Sequence, residues 1–240
     1  MDALFIHIID PFNYLERLIK LFKHINQELM IKAILFDCDG TLVDSETLSA
    51  CATDHAFKHI LKRPLTDEES KGLLGRPANK ILEEWFQEKG KEIFEEATNH
   101  FIETMNEVKP YDGIQEMLHH LTQKLRMAIV SSSSREIVIR MLIATNLADY
   151  FEFIVGHEDT DRHKPDPEPI LEAIKKLNIK HNECIYIGDQ PYDIMAAREA
   201  DVKVIGVTWG SGNRRILEGY RPDMILENPK ELKRIDFDKF

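Results

Sequence analysis

The stretch Ile31-Lys32-Ala33-Ile34-Leu35-Phe36-Asp37-Cys38-Asp39-Gly40-Thr41 places a largely apolar run directly before two carboxylates and a glycine. A short apolar run bounded by a turn signal predicts a buried strand. Two like charges one residue apart are costly at the end of such a strand unless a cation neutralises them. The stretch therefore predicts a central strand that presents Asp37 and Asp39 at its carboxyl end.

Four further apolar runs alternate with helical patterns along the chain. The predicted strands are 127–130, 153–155, 185–187 and 202–207, and the predicted helices are 113–124, 136–145, 168–177 and 192–200. Strands that alternate with crossover helices predict an α/β fold, a Rossmann-like doubly wound parallel sheet covered on both faces. Ligands of such folds bind beyond the carboxyl ends of the strands, so the residues that follow each strand are the functional candidates.

Residues 45–109 interrupt this alternation, because they carry helical pattern and no convincing strand. The pattern predicts one helix through 81–86 that stops near Gly90, and a second helix through 93–105. The histidine pairs of this segment and of 119–120 are expected on helix surfaces without further ligands. An all-helical insert after the first strand predicts a helical cap domain at 45–109 and a core formed by 30–44 and 110–240.

Residues 1–29 carry a separate amphipathic pattern. One helical face would collect apolar residues, namely Leu15, Leu18, Ile19, Phe22, Ile25 and Leu29. The opposite face carries charges of both signs, and the apolar run 3–9 lacks a small-residue cleavage site. We expect an N-terminal amphipathic helical extension that packs on its own body or mediates self-association, with translation from Met30 as an alternative.

Composition excludes several classes of protein. The 240 residues are 43% hydrophobic and 30% charged, with a formal net charge of -11. Such a chain can bury a sizeable core, and its acidic surface would repel a nucleic-acid backbone. No apolar run approaches the ~20 residues that a membrane span requires. Cys38, Cys51 and Cys184 lie among apolar residues without metal-type spacing, which indicates reduced thiols in a cytoplasmic protein.

Polar side chains also follow the second and third predicted strands. The serine run 131–134 lies where a helix begins, and hydroxyls with free amides at a helix N-terminus form an anion site. Ser133 and Glu136 have the spacing of a capping box, so part of this run is expected only to cap the helix. The turn 164–167, Lys-Pro-Asp-Pro, then holds a lysine in a stiff conformation.

The fourth predicted strand ends in Asp189, and a second acid, Asp193, follows four residues later. Carboxylate oxygens of this kind suit Mg²⁺, which usually takes one or two carboxylates together with phosphate and water. The lysine and serine groups at the same edge would hold a phosphoryl group. These residues would supply the local positive site that an anionic ligand of an acidic chain requires.

The four motifs, in this order, resemble those of the haloacid dehalogenase superfamily in its phosphoglycolate phosphatase-like branch. The matching positions are Asp37 to Thr41, Ser131, Lys164 to Pro167, and Asp189 with Asp193. The resemblance covers about residues 31–226. It implies a Mg²⁺-dependent phosphatase that hydrolyses a small phosphorylated metabolite through an aspartyl-phosphate intermediate.

The resemblance also implies roles for the acidic residues. Asp37 would attack phosphorus, and Asp39 would protonate the leaving oxygen and then activate water. Mg²⁺ would be bound by the Asp37 carboxylate, the Asp39 backbone carbonyl and Asp189, while Asp193 would orient the waters of the metal or Lys164.

Phosphate binding is implied for a second group of residues. Ser131, the Ser132 amide and Lys164 would hold the phosphoryl oxygens. Arg76, in the loop where the family contacts substrate, is a candidate for binding a second anionic group. The sequence departs from the family at Gln190, where Ser or Thr is usual, and we expect this residue to tune the site at most.

Single residues distinguish between the alternative functions within the family. Dehalogenases of the family lack the second acid of the first motif, so Asp39 argues against that chemistry. Mutases resembling β-phosphoglucomutase carry a histidine about twelve residues after the nucleophile, where this chain has Ser49, although His55 is nearby. Pyrophosphate remains an alternative substrate, and a non-catalytic binding scaffold is the alternative from another class.

Overall fold

The computed structural model describes residues 30–73, 78–237 and 239–240. The predicted extension at 1–29 and the substrate candidate Arg76 therefore lie outside the described residues. Within the described ranges, the helices are all too short or too polar to cross a membrane.

Six parallel strands form one sheet. They are β1 (Ala33–Phe36), β2 (Arg126–Val130), β3 (Ile154–Val155), β4 (Cys184–Gly188), β5 (Lys203–Val207) and β6 (Met224–Leu226). Their order is β3-β2-β1-β4-β5-β6, and every neighbouring pair is parallel. This confirms the predicted fold class. The edge strand β6 was not predicted.

Helices connect the strands. They are α1 (Ser45–Ala56), α2 (Asp67–Leu73), α3 (Ala78–Phe86), α4 (Glu88–Thr104), α5 (Ile114–Leu121), α6 (Arg135–Ala144), α7 (Glu168–Leu177), α8 (Pro191–Glu199) and α9 (Arg214–Gly219). A π-helical segment, Phe57–Leu61, continues α1. Short 3₁₀ turns lie at Met105–Glu107, Ala148–Tyr150, His157–Asp159, His181–Glu183 and Pro229–Arg234.

Both faces of the sheet are buried, as expected for parallel strands. Along β1, Ile34 and Phe36 belong to one apolar cluster, whereas Ala33 and Leu35 belong to the cluster on the opposite face. Phe36 pairs with Ile129 of β2 and with Ile187 of β4. The three central strands therefore end within a residue of one another, and the residues that follow them meet at one edge.

The segment 45–109 has an apolar cluster of its own, formed by Ala56, Phe57, Leu82, Ile93 and Ala97. Leu48 and Met105, near the two ends of this segment, belong to the core cluster instead. A separate interior is the mark of a separate folding unit. We propose that 45–109 is the cap domain and that 30–44 with 110–240 is the core.

The boundary between the two long cap helices differs from the prediction. Helix α3 ends at Phe86, and Gln87 takes a left-handed conformation with φ of 54°. Gly90 does not end a helix but lies buried inside α4. A Cβ added at Gly90 would overlap the backbone carbonyl group of Leu82. The glycine therefore permits close approach of two helices, and the expectation of a helix stop was wrong.

Gly90→Ala is expected to destabilise the protein by about 1–3 kcal/mol, because backbone atoms must move to admit the new methyl group. Gly219→Ala is the matched control, since Gly219 also lies in a helix and has nothing within 4 Å of an added Cβ. Urea unfolding followed by circular dichroism measures both variants. Equal stability of the two would contradict the close contact between α3 and α4.

The outer face of α1 and of the segment that continues it corrects the expectation for Cys51 and agrees with that for two histidines. Cys51 is exposed, unlike Cys38 and Cys184, so it does not fill space in an apolar interior. His55 and His59 lie on the surface, as predicted. Glu96 Oε1 of α4 lies 3.4 Å from His55 Nε2 and 2.7 Å from His59 Nδ1.

Candidate active site

Asp37 follows β1 and extends the parallel ladder by one residue. Its backbone N–H donates to the Ile187 carbonyl oxygen at 2.8 Å, which holds the residue beside the end of β4. The carboxyl group is buried, and its Oδ1 accepts a hydrogen bond from Lys164 Nζ at 2.7 Å. Burial raises the pKa of Asp37 although Lys164 acts in the opposite direction. A further cation at this place would favour the ionised, nucleophilic carboxylate.

Asp39 lies at the start of a tight turn at Gly40, whose φ is 74°. Three hydroxyl groups donate to its carboxylate. Ser45 Oγ lies 2.6 Å from Oδ1, while Ser133 Oγ and Ser131 Oγ lie 2.9 Å and 3.3 Å from Oδ2. The side chain is half-buried, and hydroxyl donors fix the orientation of both of its oxygens.

The serines of 131–134 make different contacts from those predicted. Ser134, not Ser133, is the N-cap of α6, because its hydroxyl accepts from the Ile137 backbone N–H at 3.4 Å. Ser133 instead donates to Asp39. Ser131 is buried and its hydroxyl accepts from the Ser133 backbone N–H at 3.0 Å, whereas Ser132 is exposed. The predicted capping box at Ser133 was therefore wrong by one residue.

Lys164 reaches the same edge from the turn after β3. Its side chain is only 5% exposed, and Nζ lies 2.7 Å from both Asp37 Oδ1 and Asp193 Oδ1. Burial alone would lower the pKa of this ammonium group, but the two carboxylates hold it well above its ordinary value. Lys164 is therefore a permanent positive charge that bridges two acids.

Asp189 lies 1% exposed at the end of β4. Ser211 Oγ and Gln190 Nε2 donate to its Oδ2 at 2.7 Å and 2.9 Å, and Thr41 Oγ1 lies 3.4 Å from Oδ1. Burial, followed by the nearby charge of Asp193, raises the pKa of Asp189 to about 7. Gln190 also bonds to Ser211. The residue that departs from the family pattern thus contacts an acid of the site directly.

The turn at Gly40 also shapes this site. A Cβ at Gly40 would lie 2.6 Å from Asp189 Oδ2, and the positive φ independently disfavours other residues. The glycine therefore lets the backbone after Asp39 approach the carboxyl group of Asp189.

The acidic groups fit a hard divalent cation. Carboxylate oxygens of Asp37, Asp189 and Asp193 all lie within 4.8 Å of one another. These three buried carboxyl groups face one buried ammonium, so their ionised forms leave negative charge that a cation would balance. Lys164 and the backbone N–H of Gln190 already occupy the two oxygens of Asp193. Asp37 and Asp189 are therefore the better candidate ligands, and Asp193 supports Lys164.

Sequence reasoning missed several partners of these residues, namely Tyr186, Ser45, Ser133 and Ser211. The sequence does contain an indication for Tyr186, since it is the one aromatic residue in the otherwise small and aliphatic strand β4. Its hydroxyl lies 2.9 Å from Lys164 Nζ. The sequence contains no such indication for the three serines, because nothing in their spacing connects them with the acids that they contact.

The rim of the site holds a cavity of about 320 Å³, lined by Asp44, Glu46, Thr47, Ala50, Tyr111, Trp209 and Gly210. Trp209 is partly buried against the core, and its indole N–H donates to the Thr41 carbonyl oxygen at 2.9 Å. Trp209 is therefore a packing residue of this rim. This cavity adjoins the first turn of α1 and offers room for a small group next to the acids.

Comparison with known proteins identifies the relatives of this arrangement. A family model described as haloacid dehalogenase-like hydrolase matches residues 34–207. The chain is 32% identical over 208 residues to pyrophosphatase PpaX of Anoxybacillus flavithermus, covering 85% of this chain and 96% of that protein. It is 31% identical over 211 residues to phosphoglycolate phosphatase of Aquifex aeolicus, covering 85% and 96%. A solved haloacid dehalogenase-like family hydrolase from Streptococcus pneumoniae has a TM-score of 0.75 at 26% identity, covering 84% of this chain and 96% of that chain.

Proposed function

We propose that this chain, which belongs to the haloacid dehalogenase-like hydrolase family, hydrolyses a small organic phosphate monoester with Mg²⁺ through an aspartyl-phosphate on Asp37. Phosphatase activity is the class that its relatives support. The observation that carries the proposal is the buried group of Asp37, Lys164, Asp189 and Asp193 next to Asp39, at the edge where three strands end.

The reaction would proceed in two displacements. In the first, an oxygen of Asp37 bonds to phosphorus, the bond from phosphorus to the substrate oxygen breaks, and Asp39 gives its proton to that oxygen. In the second, water gives a proton to Asp39 while its oxygen bonds to phosphorus. The bond to Asp37 then breaks, which releases inorganic phosphate and restores both carboxyl groups.

Other residues would bind and orient the phosphoryl group. Ser131, the Ser132 amide and Lys164 lie at the edge where Asp37 follows β1, and the N-terminus of α6 adds favourable backbone dipoles. The three hydroxyl donors on Asp39 direct its carboxyl group. Mg²⁺ bound by Asp37 and Asp189, together with the Asp39 carbonyl implied by the family resemblance, would neutralise charge on the phosphoryl oxygens.

Inorganic pyrophosphate is the second candidate substrate. Its support is the 32% identity to a pyrophosphatase over nearly the full length of that protein. Sugar-phosphate mutase chemistry is less favoured, because the position about twelve residues after Asp37 is Ser49 on the exposed face of α1. A non-catalytic scaffold is less favoured as well, since it would not need this complete set of buried acids.

Turnover of p-nitrophenyl phosphate tests the reaction class. We expect hydrolysis in Mg²⁺ and a loss of about 100-fold or more after EDTA treatment, restored by added Mg²⁺, because a bound cation contributes several kcal/mol to charge stabilisation. Treatment with the Mg²⁺ complex of EDTA is the control for effects of the chelator itself. Equal turnover with and without metal would reject the proposed cofactor, and no turnover of any phosphate ester would favour the scaffold.

Phosphate release from a panel of substrates separates the remaining candidates. The panel should contain phosphoglycolate, inorganic pyrophosphate, sugar phosphates and a nucleoside monophosphate, compared by kcat/KM. A preference for pyrophosphate would overturn the assignment to an organic monoester. Interconversion of sugar phosphates without phosphate release would indicate mutase chemistry.

A further inference from the structure

The hydroxyl group of Tyr186 lies beside Lys164 and Asp193 of the candidate active site, although its ring is part of the protein interior. The side chain is fully buried, and the hydroxyl oxygen has three polar neighbours. It lies 2.9 Å from Lys164 Nζ, 3.0 Å from Asp193 Oδ1 and 3.1 Å from the Val130 carbonyl oxygen. Buried hydroxyls are paired, but this one is paired with the residues that face the nucleophile.

The hydrogen bonds of Lys164 show what the hydroxyl contributes. An ammonium group has three protons to donate. Two face Asp37 Oδ1 and Asp193 Oδ1, each at 2.7 Å. The third is best placed for the Tyr186 oxygen, since the Val130 carbonyl oxygen is farther away at 3.3 Å. The proton of Tyr186 is then available to Val130 or Asp193.

We propose that Tyr186 is a positioning residue that tethers the Lys164 ammonium, together with Asp193, throughout the phosphoryl transfer. This inference rests on the proposed function. When an oxygen of Asp37 bonds to phosphorus, negative charge passes to the phosphoryl oxygens, and the ammonium proton that faced Asp37 turns to them. The bonds to Asp193 and Tyr186 are not consumed by the reaction and keep the nitrogen in place.

Tyr186→Phe removes the oxygen and leaves the ring in the core. The third ammonium proton is then left with the carbonyl group at 3.3 Å, and water has little access because the Lys164 side chain is 5% exposed. When the ammonium group is held less closely, the transition state loses more electrostatic stabilisation than the ground state does. We expect kcat to fall about 10- to 100-fold while KM changes by less than about threefold.

A double-mutant cycle tests whether the effect passes through Lys164. The variants are Tyr186→Phe, Lys164→Met and the combination, assayed with p-nitrophenyl phosphate and Mg²⁺. We expect Tyr186→Phe to lower kcat when Lys164 is present and to change it less than about twofold in the Lys164→Met background. Tyr220→Phe, which removes a hydroxyl from an exposed tyrosine, is the control for loss of a phenolic oxygen. The same loss in both backgrounds, or unchanged kcat in Tyr186→Phe, would overturn the inference.

Binding of orthovanadate provides a second measurement that needs no turnover. Five-coordinate vanadate mimics the transferring phosphoryl group. Tyr186→Phe should therefore weaken the binding of vanadate about 10-fold, while the binding of inorganic phosphate changes little. Equal vanadate affinity in wild type and variant would overturn the role of Tyr186. An inactive wild type with unequal vanadate affinities would reject the proposed reaction but not the tether. If Tyr186→Phe fails to fold, Tyr186→Met takes its place in both measurements, with the same outcomes deciding.

Discussion

Asp37→Asn is expected to lower kcat by at least about 1,000-fold, because the amide cannot form the covalent intermediate that we propose. Asn matches Asp in shape, so the turn at Gly40 and the ladder bond to Ile187 should persist. The ammonium of Lys164 keeps its bond to Asp193 and loses one anionic acceptor. The measurement is initial-rate hydrolysis of p-nitrophenyl phosphate in Mg²⁺, with folding checked by circular dichroism.

The proposed covalent intermediate gives this prediction a second measurement. Acid quenching during turnover of a ³²P-labelled substrate should trap label on the wild-type protein and none on Asp37→Asn. Asp149→Asn, at an exposed turn far along the chain, is the matched control and should retain both activity and label. Retention of substantial activity by Asp37→Asn, or label at another residue, would place the nucleophile elsewhere.

The parallel sheet was predictable because its strands are buried on both faces. Each central strand therefore appears in the sequence as a nearly continuous apolar run, and each run ends in polar residues. The register that pairs Phe36 with Ile129 and Ile187 then brings those polar residues to one edge. Periodicity could not show that Gly90 serves a contact between helices, because the reason lies in the backbone of Leu82.

The acids and the lysine were predictable from their motifs, but their orientation was not. Lys164 and Tyr186 are separated by 22 residues and Ser133 and Asp39 by 94, so no local pattern connects them. Ser133 shows the difficulty most clearly. Its spacing to Glu136 is that of a helix cap, and only the position of Asp39 decides that its hydroxyl turns toward the site instead. Arg76 and the N-terminal extension stay predictions, because they lie outside the described residues.

Lys164 is the only positive charge that faces Asp37 and Asp193 among the described residues that contact them, and its loss would leave two buried acids together. Lys164→Met preserves the volume of the side chain but removes this charge. Breaking a buried ion pair by deleting one partner costs about 3–5 kcal/mol, because the remaining charge stays desolvated. The same change removes a group that we propose to bind the phosphoryl oxygens, so kcat/KM should fall by about 100-fold or more.

The loss of stability in Lys164→Met should depend on pH. Lys164 lowers the pKa of Asp37, which burial holds above its ordinary value, so the variant raises this pKa further. A carboxyl group with a raised folded-state pKa favours folding at low pH, and this contribution is lost as pH rises toward the folded-state pKa. At pH 5 the carboxyl group of Asp37 can bind a proton, which compensates for the missing ammonium charge. At pH 8 the carboxyl group is protonated to a smaller extent, so this compensation is smaller. The stability difference between variant and wild type should therefore widen from pH 5 to pH 8.

Urea unfolding in EDTA at both pH values measures this difference without a cation that could substitute for the lysine. Lys175→Met is the matched control, because Lys175 is 80% exposed and pairs with Glu172 on the surface of α7. Exposed ion pairs contribute about 0–1 kcal/mol, so this variant should remain close to wild type at both pH values. A stability loss in Lys164→Met that is equally small, or one that narrows as pH rises, would mean that the buried acids do not depend on Lys164 for their charge balance.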